Sequence, residues 1–137
     1  MDEHNAYAAR SWNPAWTLTV ASLALMMAFL DSLVVTTALP ALRVSLHSSL
    51  TTLEWTVNAY NLSFACLLLT GAALGDRFGR RRVFSLGLAL FTLSSAVCGV
   101  APDAGMLVAG RLAQGVAGAL LMPNVLSLIG VLYTGAD

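Results

Sequence analysis

The stretch GDRFGRRRVF, residues 75–84, places Arg77, Arg80, Arg81 and Arg82 within six positions. The chain has seven arginines and no lysine, so over half of its fixed positive charge falls in one patch, with an apolar run on either side. Arginines in short breaks between apolar runs are retained on the cytoplasmic side of a membrane. That reading sets the fold: a chain that passes back and forth through lipid, turning inside the cell at residues 75–82.

The composition around the patch agrees. Hydrophobic residues make up 58% of the 137 residues and charged ones 10%, with mean hydropathy +0.77. Soluble domains carry roughly 25% charged residues, so the soluble class is excluded. A hydrocarbon core about 30 Å thick needs roughly 20 mostly apolar helical residues to cross it. Four runs meet this length: 16–39, interrupted by Asp31; 52–74; 83–100; and 105–129, interrupted by Arg111. Only helices and closed barrels satisfy their backbone in lipid, and these runs lack the two-residue alternation of barrel strands. The expected fold class is an all-α membrane protein of four antiparallel transmembrane helices. Residues 1–15 form its N-terminal tail and 16–137 its helical domain.

The breaks between runs are short, which implies antiparallel neighbours. They contain Pro40 and Arg43, then residues 75–82, then Ala101, Pro102 and Asp103. Against the four arginines after the second run stands Asp76 alone, while the other two breaks hold one arginine, Arg43, and none. The N-terminus and the 75–82 loop are therefore expected in the cytoplasm. Trp16 and Trp55 stand at run beginnings, as interfacial anchors do. The first run is too long for a signal peptide's apolar region, and Asp2 and Glu3 do not suit a basic leader, so it is expected to stay attached. Cys66 and Cys98 fall at depths about 21 Å apart at 1.5 Å per residue, so no disulfide is expected and both read as packing residues.

Asp31 and Arg111 are the residues hardest to explain as scaffold. Each costs roughly 2.5–3.5 kcal/mol at the centre of an inserted helix. Counted from the outer ends of their runs they lie about 12 Å and 9 Å deep, so they are able to pair if the first and fourth spans are neighbours. Two readings stand side by side: the pair locks two helices, or it marks a substrate or proton path. In the second, Asp31 is a protonatable or cation-attracting group whose charge Arg111 helps to hold. Glu54, Asn58 and Asn61 share one face of the second span, and Arg111, Gln114 and Gly118 one face of the fourth. These stripes read either as interhelical hydrogen bonding or as the lining of a path. Ala109, Ala113 and Ala117, with Gly115 and Ala119, repeat at four-residue spacing, the small-residue pattern of close helix packing. Pro123 in that run removes a backbone hydrogen bond and kinks the helix in prospect.

No enzyme is expected. His4 and His47 are isolated, and no catalytic triad, Cys/His pair or metal-ligand spacing occurs, so no catalytic residue, metal or cofactor is assigned. With zero formal net charge and one basic cluster lying against the membrane, no nucleic-acid partner is expected either. That cluster suits anionic membrane lipid.

"GAALGDRFGRRRVF" resembles the cytoplasmic signature loop of the major facilitator superfamily. Asp76, Arg77, Gly79, Arg80 and Arg81 fall on its pattern, while the leading glycine falls at Ala72, with Gly71 one place early. "FLDSLVVTTALPAL" is similar to the aspartate motif of that family's multidrug:proton antiporter branch with 14 predicted helices, departing from it at Leu33 and Thr36. "WTVNAYNLSFA" and "GRLAQGVAGALLMP" resemble the branch's second and fourth helices, with Arg111 at the position of a buried arginine. The resemblance covers nearly the whole chain after Trp16.

It implies a multi-pass cell-membrane transporter that exports lipophilic or cationic small molecules in exchange for protons. Asp31 and Arg111, with Asn58, Asn61 and Gln114, would form the coupling or substrate region. Gly75, Asp76, Arg77, Gly79, Arg80 and Arg81 would form a loop that braces one access state and so biases a two-state equilibrium. The family builds its path between two six-helix halves that rock against each other. Four runs correspond to the first part of the N-terminal half, so the chain reads as the N-terminal piece of a transporter whose C-terminal helices are its main partner. A four-span subunit of an oligomeric transporter and a non-transporting remnant are the alternatives.

Overall fold

Four α-helices account for nearly all of residues 14–134, the part of the chain that the computed structural model describes. In chain order they are α1 (Pro14–Ser45), α2 (Leu50–Phe78), α3 (Arg80–Gly99) and α4 (Ala104–Thr134), with no strand among the described residues. All four are long and apolar enough to cross a membrane. Of the expected N-terminal tail, residues 1–13, including His4, lie outside the described part, and α1 already begins at Pro14.

The helices outrun the apolar segments that announce them. α1 continues through Pro40 to Ser45. Proline there removes one backbone bond. Just upstream, the Thr36 and Thr37 hydroxyls fold back onto the Ser32 and Leu33 carbonyls at 2.8 and 3.0 Å, so the polar side chains of this turn are satisfied within the helix. Ser49 caps α2 by accepting from the Thr52 amide at 3.2 Å, and Asp103 accepts from the Met106 amide at 2.8 Å at the start of α4.

The largest departure from expectation concerns residues 75–82. Gly75 to Phe78 complete α2 and Arg80 to Arg82 open α3, so the loop contracts to Gly79 alone. Its φ of 95° and ψ of 120° lie where only glycine rests without strain. The Gly79 amide donates to the Gly75 carbonyl at 3.0 Å, and its own carbonyl accepts from Arg82 at 3.0 Å. A Cβ at this position would meet no atom within 4 Å, so the constraint is backbone conformation and not space. Gly79→Ala is expected to lower stability by about 1–3 kcal/mol. The denaturation midpoint in mixed micelles reads this directly, and an unchanged midpoint would contradict the backbone argument.

α4 is the most buried helix and touches all three others. Its glycines explain why. A Cβ at Gly115 would overlap the Ser63 hydroxyl and the Tyr60 carbonyl of α2, and one at Gly87 of α3 would crowd Leu120 and the Ala117 carbonyl of α4. Small residues let backbones meet, and lipid supplies no hydrophobic drive to replace that contact. The Ser63 hydroxyl closes the α2–α4 seam by donating to the Leu112 carbonyl at 3.0 Å. Of the small-residue stripe, Ala117, Gly115 and Ala119 are buried, while Ala109 is exposed.

α1 lies against this core through a seam repeating every three or four residues: Ala21, Ala24, Ala28, Asp31, Val35, Ala38 and Leu42. Ala21 and Ala24 join Phe84, Phe91, Ala117, Leu121 and Val125 in one apolar cluster. The opposite face of α1 leaves Leu23, Phe29, Leu33 and Val34 exposed, as suits a helix turned to lipid. Both cysteines are free. Cys98 packs against Gly110, whereas Cys66 is exposed on α2, so the packing role expected of both holds for Cys98 alone.

Candidate functional site

The α1 seam carries one charged residue, and it points at α4. Arg111 and Gln114 are three residues apart on α4 and so share a face. Arg111 Nη1 donates both to Asp31 Oδ2 and to Gln114 Oε1, the latter at 2.9 Å. Gln114 Nε2 donates to Asp31 Oδ1 at 2.9 Å. The three side chains form a closed ring in which each carboxylate oxygen has its own donor.

Two other helices complete the surroundings. From α2, the Thr56 carbonyl accepts from Arg111 Nε at 3.3 Å, and the Tyr60 ring centre lies 4.5 Å from the guanidinium carbon. From α3, the Cys98 thiol donates to Gln114 Oε1 at 3.5 Å. Gln114 is thereby oriented: both neighbours of its oxygen are donors and the neighbour of its nitrogen is an acceptor. Arg111 and Gln114 are 1% and 0% exposed, yet the Asp31 side chain keeps 15%. Among the described residues no buried side-chain nitrogen or oxygen lacks a partner. A buried ion pair repays its desolvation only when its remaining polar atoms are satisfied, and this one meets that condition. Chemically the site holds one carboxylate at a partly open position beside a cation that is fully enclosed.

Asn58 and Asn61 are not part of it. Both are exposed and form no side-chain hydrogen bond among the described residues, and Glu54 is exposed with them. α2 turns Thr56, Tyr60 and Ser63 toward α4. At 3.6 residues per turn, Asn61 and Asn58 lie about 140° and 200° around the helix from Thr56. Thr56 and Tyr60 went unnoticed in the sequence. Thr56 acts through a backbone carbonyl, which every residue has; Tyr60 acts through its ring face, but its position four residues after Thr56 does place the two on one side.

At the other end of α2, Arg80 donates through Nε and Nη2 to Asp76 Oδ1 at 3.1 and 3.0 Å, bridging Gly79. Both side chains are well exposed, so the pair is worth about 0–1 kcal/mol. The Arg77 guanidinium carbon lies 5.5 Å from the Phe78 ring centre. Arg80, Arg81 and Arg82 fill the first turn of α3, where the helix dipole disfavours cations. Helix stability therefore does not account for them. Gly75 ties this turn to α4: a Cβ there would overlap Asn124 Oδ1. Asn124 Nδ2 donates to the Gly71 carbonyl at 3.3 Å and to the Leu120 carbonyl at 2.7 Å. Among the described residues no group of three His, Cys, Asp or Glu side chains is placed to hold a metal ion.

Four lipid-length helices around a polar cluster drawn from all of them define a multi-pass membrane protein. The chain belongs to the Major Facilitator Superfamily, whose family model matches residues 21–137. It is 45% identical over 116 residues to the methylenomycin A resistance protein of Bacillus subtilis (strain 168), covering 85% of this chain and 25% of that one. Over 125 residues it is 43% identical to the puromycin resistance protein pur8 of Streptomyces alboniger, covering 91% of this chain and 24% of the relative. To the multidrug efflux pump LfrA of Mycolicibacterium smegmatis (strain ATCC 700084 / mc(2)155) it is 42% identical over 124 residues, with 90% and 25% covered. The chain thus spans about a quarter of the length of the curated relatives it matches.

Proposed function

We propose that this chain serves proton-coupled export of lipophilic or cationic small molecules across the cell membrane. Residues 16–137 act as part of a transport domain completed by further helices. Asp31 is the group that exchanges a proton or meets the cationic substrate, and Arg111 and Gln114 hold its carboxylate in place. The observation that carries this reading is the asymmetry of the ring: Arg111 and Gln114 are sealed, and Asp31 alone keeps a partly open side chain. A helix lock needs no such opening. The names of the relatives, two antibiotic resistance proteins and a multidrug efflux pump, support the substrate class.

The N-terminus and the arginine-bearing turn face the cytoplasm in this reading, with the arginines near anionic lipid. Gly75, Asp76, Arg77, Gly79, Arg80 and Arg81 form a rigid corner rather than a floppy loop. Such a corner makes charge-assisted contacts in only one access state and so shifts the balance between states.

The test uses everted membrane vesicles from cells expressing the protein, with a fluorescent lipophilic cation as probe. Asp31→Asn is expected to abolish probe-driven proton release while the amount of protein in the membrane stays the same. Proton release equal to that of the unaltered protein would overturn the reading in favour of a plain helix lock.

A further inference from the structure

Arg43 and Glu54 share a groove without sharing a bond. Arg43 lies in the last turn of α1 and Glu54 just past the first turn of α2. Among the described residues neither side chain has a hydrogen bond or an ion pair. Both line an open groove of about 620 Å3 between the two helices, at the end of the bundle away from Gly79. The rest of its lining is largely apolar: Leu39, Pro40 and Val44 from α1, Leu50 and the buried Leu53 from α2. Trp55, next to Glu54 and 53% exposed, marks the level of the groove, since indole rings gather where headgroups meet acyl chains.

Each charge alone has a plain account, Arg43 at the negative end of the α1 dipole and Glu54 in contact with water. Together in one groove they define a ligand chemistry. A purely anionic ligand would meet Glu54 as a like charge, and a purely cationic one would meet Arg43. A ligand carrying both charges avoids both conflicts, and apolar walls at headgroup level select one with acyl chains. We propose that this groove binds a phospholipid of the phosphatidylethanolamine type, with its phosphate on Arg43, its ammonium on Glu54 and part of an acyl chain along Leu39, Pro40 and Leu53. Arginine meets phosphate with a planar fork of donors. A primary ammonium, like that of lysine, brings three hydrogen-bond donors to the carboxylate, where a choline brings none. In the orientation proposed above, the groove opens to the outer leaflet.

The experiment places the photo-cross-linking residue p-benzoylphenylalanine at Val44, which lines the groove and is 74% exposed, in the whole protein. The protein is reconstituted in vesicles of equal parts phosphatidylethanolamine, phosphatidylglycerol and phosphatidylcholine with the same acyl chains, and mass spectrometry identifies what is captured on irradiation. The ethanolamine lipid is expected about 2- to 5-fold over each of the others, the worth of one exposed charge contact. Leu69 is 82% exposed and lies about 22 Å along α2 from Glu54, so the same label there is expected to capture the three lipids equally. Glu54→Gln is expected to erase the preference for ethanolamine over choline at Val44. Arg43→Gln, which removes the contact to a phosphate that all three lipids carry, is expected to lower total lipid capture there by about 2- to 5-fold. Both side chains are exposed, and unchanged capture at Leu69 checks that neither variant disturbs the bundle. Equal capture of the three lipids at Val44, or a preference unmoved by Glu54→Gln, would overturn the site. Capture of a peptide in place of lipid would overturn it as well, by showing that polypeptide covers the groove.

Discussion

Arg111→Met is expected to cost about 3 kcal/mol of bundle stability, the lower end of what removing one member of a buried pair costs. The lower end applies because the Asp31 side chain is 15% exposed and has some access to polar surroundings. The substitution strips a donor from the Thr56 carbonyl, one from Gln114 Oε1 and the charge partner from Asp31 at once. Arg111→Lys is no rescue, since an ammonium has neither the planar fork that reaches Thr56 and Asp31 together nor a flat face for the Tyr60 ring. Asp31→Asn leaves Arg111 with Thr56, Gln114 and Tyr60 but takes the counter-charge from an enclosed guanidinium, and is likewise expected to cost about 3 kcal/mol. The double variant Asp31→Asn/Arg111→Met is expected to be more stable than Arg111→Met alone, because no carboxylate is then left without a cation. Denaturation midpoints in mixed micelles give all three values. An Arg111→Met variant as stable as the unaltered protein would sink the assignment of this cluster as the bundle's polar keystone.

Gly71→Leu is expected to separate α2 from α4 and to cost at least about 3 kcal/mol, the upper range for overpacking. A Cβ on Gly71 would overlap the Ala119 carbonyl oxygen and stand 2.8 Å from its carbon and 3.3 Å from Leu120 Cα. These are backbone atoms, so no side chain is able to swing aside. Pro123 sharpens the conflict: it has no amide hydrogen to offer the Ala119 carbonyl, and that carbonyl is the one turned toward Gly71. Asn124 then holds the Gly71 carbonyl from the same side. Proline and asparagine in succession thus make a polar clamp out of what would be plain helix. Gly99→Ala is the control, since a Cβ there meets nothing within 4 Å. Equal midpoints for Gly71→Leu and Gly99→Ala would show that the α2–α4 seam is not a close backbone contact.

The spans were legible from hydropathy because lipid sets a length that a run of apolar residues either reaches or does not. Asp31 and Arg111 were legible from cost, and Gln114 from its three-residue offset on α4. Asn58 and Asn61 lie outside the Asp31–Arg111–Gln114 cluster for a physical reason. A polar residue type does not reveal which way a helix face turns; close approach does, and on α2 the approach is set by Tyr60, Ser63, Gly71 and Gly75 against α4. Thr56 and Tyr60 contribute a carbonyl and a ring face, which carry no polarity signal in a sequence. α1 and α2 run beyond the expected spans because hydropathy stops where lipid stops, while the backbone hydrogen bonds of a helix continue past Pro40 and through Arg77.

The link between Asp31 and Arg111 also bears on how the molecule comes into being. The two residues are 80 positions apart, so the carboxylate is synthesised and threaded well before its cation exists. At ribosomal speeds of about 5–20 residues per second, that interval is roughly 4–16 s. Throughout it, the first helix carries an acidic group lacking its mate, and only the arrival of the fourth helix ends the wait.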